Sequence, residues 1–123
     1  MTPDVAIKLG EQLLKEQGLV GWRVCCDADA TETCNYYASL GEPSADVVAH
    51  CDSSRKIIYL LPSYVRCPNH DGPTLLPDPA DDIRNTILHE IVHALQPRGS
   101  EAHGKEWKAI ADRLGIVVER GKK

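Results

Sequence analysis

The segment His89-Glu90-Ile91-Val92-His93 is an H-E-x-x-H pattern within a predicted helix, and it constrains this chain more than any other feature. Residues four apart lie on one face of a helix, so His89 and His93 can reach a single zinc ion. Glu90 lies between them and can accept a proton from a water molecule that the metal activates. The pattern predicts a zinc site with hydrolytic chemistry.

The residues before and within the pattern predict the helix itself. Asp78 is a suitable N-cap, Pro79 suits the first helical position, and Asp81 and Asp82 place negative charge in the first turn. Apolar residues then recur at helical spacing: Ile83, Ile87, Leu88, Ile91, Val92 and Leu95. We therefore expect a mostly buried helix that ends before Pro97.

A catalytic zinc ion needs a third protein ligand and an open position for water. The metzincin pattern would place glycine at Gln96 and the third histidine at Gly99, so the chain does not fit that pattern. Because zinc commonly takes histidine, the leading candidate is His103, at the start of the next predicted helix. Glu101 and Glu106 remain alternatives, since many zinc peptidases use a carboxylate from the following helix.

The segment from Ile87 to Leu95, followed by His103-Gly104 and Trp107, resembles the SprT-like metalloprotease domain. This family includes the Spartan proteases, which degrade proteins crosslinked to DNA. The resemblance implies three zinc ligands and a general base, which fall on His89, His93 and His103 and on Glu90.

The resemblance extends upstream in a looser form. Gly21 to Val24 is similar to the first strand of the family, and Val47 to Leu60 is similar to the hairpin that follows. Residues 28 to 45 resemble an insertion between the two, and the zinc ribbon of bacterial relatives does not follow within the 123 residues. We therefore expect one SprT-like domain, residues 1–123, without the appended parts that often help such proteins to bind DNA.

Composition is consistent with a single cytoplasmic domain. A chain of 123 residues with 42% hydrophobic content can bury one core. Neither a long apolar stretch nor a signal pattern is present, so we expect no membrane association. The five cysteines, Cys25, Cys26, Cys34, Cys51 and Cys67, are an odd set without a C-x-x-C pair, which favours free or buried thiols in a reducing compartment.

A second metal site is a minor alternative for part of this set. Cys67 and His70 have two residues between them, and His50 with Cys51 could complete a group of four ligands. Pro68 also marks this stretch as an ordinary loop.

The charge distribution bears on nucleic-acid binding. The net charge of -4 argues against strong autonomous binding to DNA. After Pro97, however, seven Lys and Arg face four Asp and Glu, a local charge of +3. Six of these seven, Lys105, Lys108, Arg113, Arg120, Lys122 and Lys123, form a predicted basic helix and tail. They could guide weak DNA binding, or they could simply form the solvated face of an amphipathic helix.

The predicted element order gives an α+β fold with a small antiparallel sheet of three to four strands. A helix covers residues 3–17 and is closed by Gly18, and a strand covers 22–27. A second strand at 35–40 is less regular, and residues 47–51 and 56–61 form a hairpin. A loop spans 62–79, the two zinc-site helices follow, and residues 116–118 could add a closing strand.

The favoured function is a zinc metalloprotease of the HExxH type that acts on protein substrates, including proteins bound or crosslinked to DNA. Two alternatives remain: a zinc-binding interaction module without activity, and a regulatory peptidase of the ImmA/IrrE type, which takes a glutamate ligand.

Tyr64 and Arg98 could stabilise an oxyanion, although packing is the simpler role for Tyr64. Asp81, Asp82 and Asn85 could orient a ligand histidine, but caps or solvated residues are more common at a helix start. Trp22 and Trp107 are expected in the core.

Overall fold

The computed structural model describes residues 1–40, 48–66, 78–96 and 104–116. Within these ranges the order is α1 (Pro3–Glu16), β1 (Arg23–Cys25), α2 (Ala28–Ser39), β2 (Ala49–Asp52), β3 (Ile57–Leu60), α3 (Pro62–Arg66), α4 (Pro79–Leu95) and α5 (Lys105–Leu114). The α+β class is confirmed, and so are the helix with the H-E-x-x-H pattern and the helix that follows it. Among the described residues, no helix combines the length and the apolar character needed to cross a bilayer.

Helix α1 has the predicted ends and packs closely on the sheet. The side chain of Thr2 accepts a hydrogen bond from the Val5 amide, and Gly18 follows the helix with a φ of 75°. Gly10 is buried in the middle of the helix, where a Cβ atom would lie 2.6 Å from Cγ2 of Val24. Glycine at this position therefore lets α1 approach β1 at a distance that a side chain would prevent.

The three strands form one sheet in the order β1-β3-β2. The predicted hairpin is confirmed: β2 and β3 pair antiparallel, with Ala49 opposite Leu60. The carboxylate of Asp52 closes the turn by accepting hydrogen bonds from the amides of Ser54 and Arg55, each at 3.1 Å. Lys56 then adopts a left-handed φ of 58°.

The pairing of β1 differs from the expected antiparallel arrangement, because β1 runs parallel to β3. A parallel pair needs a long connection that returns the chain to the same end of the sheet. Helix α2 and strand β2 lie within that connection. The strand predicted at 22–27 and the hairpin are therefore present, but the sequence predicted the strand direction correctly only for the hairpin.

Strand β3 is buried along its whole length because helices cover both faces of the sheet. Ile58 and Leu60 face the main core with α1 and α4, whereas Ile57 and Tyr59 face α2. The side chains alternate as expected for neighbouring residues of a strand. Helix α4, which carries the H-E-x-x-H pattern, thus packs directly on the sheet.

Helix α2 replaces the predicted strand at residues 35–40, and that prediction was wrong. The carboxylate of Asp27 accepts hydrogen bonds from the amides of Asp29 and Ala30, at 3.0 and 3.4 Å, and so caps the helix. Ala30 and Cys34 lie four residues apart and are almost fully buried. The segment that resembled an insertion therefore contributes a helical layer to the fold.

Two other predicted segments are only partly described. The predicted loop at 62–79 begins with helix α3, so its first part was wrong, and residues 67–77 lie outside the described residues. Of the predicted closing strand at 116–118, only Ile116 is described. It is buried and lies outside any strand.

Candidate metal centre

Helix α4 contains both His89 and His93, as the sequence predicted. The side chain of Asp78 accepts hydrogen bonds from the amides of Ala80 and Asp81, and Pro79 begins α4. His89 and His93 lie near its C-terminal end and are half-buried, while the apolar residues between them face the core. The helix is thus anchored on the sheet with both imidazoles at one edge of its buried face.

The two imidazoles are close enough to share one ion. Their ring centroids are 5.3 Å apart, and the planes are inclined by 66°. Neutral imidazole nitrogens are common zinc ligands, and two on successive turns of a helix present their lone pairs to the same volume. The donor chemistry and spacing fit a zinc ion.

Glu90 is buried, with 8% of its surface exposed, although its side chain is ionisable. Burial raises the pKa of the Cys34 and Cys51 thiols from 9.0 to about 12, and the Glu90 carboxylate adds to both increases. The negative charge of Glu90 therefore acts on thiols of both α2 and β2. Glu90 follows His89 directly in sequence, and a carboxylate shielded from bulk water is suited to general-base chemistry.

Gln96 contacts the histidine pair, although sequence analysis assigned it no role. Its side-chain oxygen lies 3.3 Å from Nδ1 of His93. In the tautomer in which Nδ1 carries the proton, this oxygen accepts a hydrogen bond from Nδ1. The lone pair of Nε2 is then available to bind a metal. The signal was available in the sequence, because residues three apart are neighbours on a helix surface.

Trp107 is in the core, as expected, and it also reaches the histidine pair. It lies in the first turn of α5 and has no exposed surface. Its ring centroid is 4.9 Å from that of His89 and 5.8 Å from that of His93. The wall of the candidate centre opposite α4 is therefore an indole ring.

Among the described residues, none completes a metal-holding group with the histidine pair. Within ranges 1–40, 48–66, 78–96 and 104–116, no three His, Cys, Asp or Glu side chains form a group able to hold a metal. Glu106 is in this part of the chain, exposed beside Trp107 in the first turn of α5. His103, Glu101 and Arg98 lie outside the described residues.

A buried polar network lies on α4 before the histidine pair. The Tyr64 hydroxyl donates a hydrogen bond to the Asp82 carboxylate at 2.7 Å, and it is 2.7 Å from the Thr86 hydroxyl. Burial raises the pKa of Tyr64, so its hydroxyl keeps its proton. Tyr64 has no exposed surface, which confirms packing and argues against contact with substrate.

The acidic residues at the start of α4 differ in their environments. Asp81 is exposed in the first turn, as expected for a solvated residue. Asp82 is only 1% exposed and Asn85 6%, so the expectation that they are caps or solvated residues was wrong for both. The carboxylate of Asp82 instead joins α4 to α3 through Tyr64.

Four of the five cysteines are described, and all four are free thiols: Cys25, Cys26, Cys34 and Cys51. Burial is the main reason that the pKa of Cys25 and of Cys26 rises to about 11. All four thiols are therefore protonated at neutral pH, as expected for structural thiols.

The second metal site considered from the sequence is not supported by β2. His50 stacks on Tyr37 of α2, with ring centroids 3.9 Å apart. Cys51 is the next residue on the strand and so points to the opposite face of the sheet. The two side chains cannot converge on one ion, and Cys67 and His70 lie outside the described residues.

The model of the SprT-like family matches residues 72–121. No curated protein matches the chain, and neither does any solved structure. The matched region contains α4, α5, the histidine pair and Glu90. The resemblance to the SprT-like family, a family of metallopeptidase-like domains, is therefore confirmed over residues 72–121.

Proposed function

We propose that this protein is a zinc-dependent peptidase that hydrolyses peptide bonds of protein substrates. His89, His93 and His103 would hold the metal, and Glu90 would act as the general base. The observation that carries the proposal is the pair of imidazoles 5.3 Å apart on α4, with the buried carboxylate of Glu90 between them in sequence.

A bound zinc ion would supply Lewis-acid chemistry, polarising the scissile carbonyl and lowering the pKa of water toward neutrality. Glu90 accepts a proton from water as the water oxygen attacks the carbonyl carbon. When the carbon–nitrogen bond breaks, Glu90 passes that proton to the leaving amine. Gln96 holds the ring of His93 and its tautomer during both steps.

The intact Glu90 favours a peptidase over a zinc-binding module without activity. A structural zinc site is closed by four protein ligands and has no use for a proton acceptor beside it. The match to the SprT-like family likewise favours a histidine as the third ligand over the glutamate of ImmA/IrrE-type peptidases.

The direct test is metal-dependent cleavage of an unstructured protein. The purified chain is expected to cut such a substrate, to stop after treatment with a chelator, and to recover with about one zinc equivalent per chain. Electrophoresis of the substrate measures the cutting, and elemental analysis measures the metal. Undiminished cleavage by protein shown to be free of metal would contradict the proposal.

A finer proposal is that the preferred substrates are bound or crosslinked to DNA. Lys105, Lys108 and Arg113 are exposed on α5, the helix that carries Trp107. Glu106 and Asp112 lie on the same short helix, so the described part of α5 presents a net charge of only +1. Electrostatic attraction from this helix would therefore be weak and sensitive to salt.

Single-stranded DNA is expected to stimulate cleavage at roughly 50 mM salt and to lose most of this effect by about 200 mM. Changing Lys105, Lys108 and Arg113 together to glutamine should remove the stimulation and leave the zinc content intact. In the matched control, Lys8, Lys15 and Arg84 are changed together to glutamine; these are exposed cations on α1 and α4. Equal cleavage with and without DNA at low salt would reject the DNA role alone.

A further inference from the structure

Three aromatic rings meet where α5 begins. Trp107 contacts His89 at a centroid distance of 4.9 Å with planes inclined by 62°, and His93 at 5.8 Å with an inclination of 44°. The two imidazoles are themselves 5.3 Å apart. Each ring of this aromatic triangle, Trp107, His89 and His93, is therefore in contact with the other two.

We propose that Trp107 is a positioning residue that holds both imidazoles in their metal-binding orientation and holds the start of α5 beside them. This inference rests on the proposed zinc site. Trp107 touches neither metal nor substrate in this role, since it acts through His89 and His93.

The effect on the imidazoles follows from burial and rigidity. Trp107 has no exposed surface, so its ring is fixed by the core around it. Contact with the indole restricts the side-chain rotamers of His89 and His93 before a metal binds. Because the indole removes some of those rotamers beforehand, less ordering has to accompany metal binding.

The effect on the third ligand follows from how α5 starts. Thr2 and Asp78 cap α1 and α4 with their side chains, but the N-cap of α5 is Gly104, which makes no side-chain cap hydrogen bond. The burial of Trp107 against the histidine pair therefore does much to locate the first turn of α5. His103 precedes Trp107 by only four residues, which span at most about 14 Å. An anchored Trp107 would therefore limit how far His103 can lie from the start of α5.

A purely structural Trp107 would stabilise the fold without changing the zinc affinity of the folded protein. The test compares Trp107→Leu with Ile110→Ala, a change at a partly buried residue of the same helix that packs on the core. Zinc dissociation constants are measured by competition with a chromophoric chelator, and the melting temperatures of the metal-free proteins are measured in parallel.

We expect Trp107→Leu to weaken zinc binding by about tenfold or more, as is typical when a residue that orients metal ligands is lost. Trp107→Phe keeps an aromatic ring and should restore part of the affinity. Ile110→Ala should lower the melting temperature but leave the dissociation constant within about twofold of the parent. If Trp107→Leu and Ile110→Ala bind zinc with the same dissociation constant, Trp107 is not a positioning residue.

A second measurement does not depend on the folding of Trp107→Leu. The chain has two tryptophans, so Trp22→Phe leaves Trp107 as the only one. Cobalt(II) should then quench tryptophan fluorescence and saturate at one equivalent, and His89→Ala should abolish the quenching. Cobalt binding seen by absorption but without quenching would overturn the inference and leave the zinc site standing. A parent protein that binds neither zinc nor cobalt would overturn the proposed function as well.

Discussion

Replacing Glu90 with glutamine is expected to abolish peptide hydrolysis while the zinc content and the fold remain unchanged. Glutamine has nearly the same size as glutamate, so the packing of this buried residue on α4 should survive. Its amide cannot accept the proton of the attacking water. General-base catalysis is worth roughly a hundredfold or more, and kcat should fall by at least that amount.

The control for this change is Glu32→Gln, the same chemical substitution at an exposed residue of α2. Elemental analysis and thermal melting of both variants establish that each retains its metal and fold. A Glu90→Gln protein as active as the parent would mean that hydrolysis came from another group or from a contaminating peptidase.

The sequence predicted α4 and its histidine pair well because the signals are local. Asp78 and Pro79 define the start of the helix, and the apolar spacing that follows defines the buried face. Two residues four apart on a helix must share a face, whatever the rest of the chain does. The spacing of His89 and His93 was therefore known once the helix was known.

The sequence did not predict helix α2 because the side chains at its buried positions are small. Ala30 and Cys34 occupy the face toward the sheet, and neither stands out as a strong apolar position. Tyr36 is 58% exposed, whereas Tyr37 stacks on His50 of β2, so two side chains typical of strands lie on a helix instead. Tertiary burial overrode the local β propensity of these tyrosines.

The contacts around the site could not be predicted from spacing alone. Tyr64 and Asp82 are 18 residues apart in sequence, and their hydrogen bond depends on how α3 packs against α4. Trp107 was correctly predicted as core, but its contact with both imidazoles depends on the packing of α5 on α4. Long-range partners of this kind are set by tertiary structure.

Zinc content should fall from about one ion per chain to nearly none in each of His89→Ala, His93→Ala and His103→Ala. A catalytic zinc site has three protein ligands, so removing one leaves two, too few to retain the ion during dialysis. The matched control is His50→Ala, because His50 stacks on Tyr37 on the α2 side of the sheet. That variant should keep its zinc.

The same measurement decides between the candidates for the third ligand. Glu106 is exposed, and among the described residues it does not join the histidine pair in a metal-holding group, so Glu106→Ala should keep the metal. The contradicting result would be a His103→Ala protein with full zinc and activity beside a Glu101→Ala or Glu106→Ala protein that has lost both. Since α5 is anchored beside the histidine pair through Trp107, that result would still place the third ligand within a few residues of the indole.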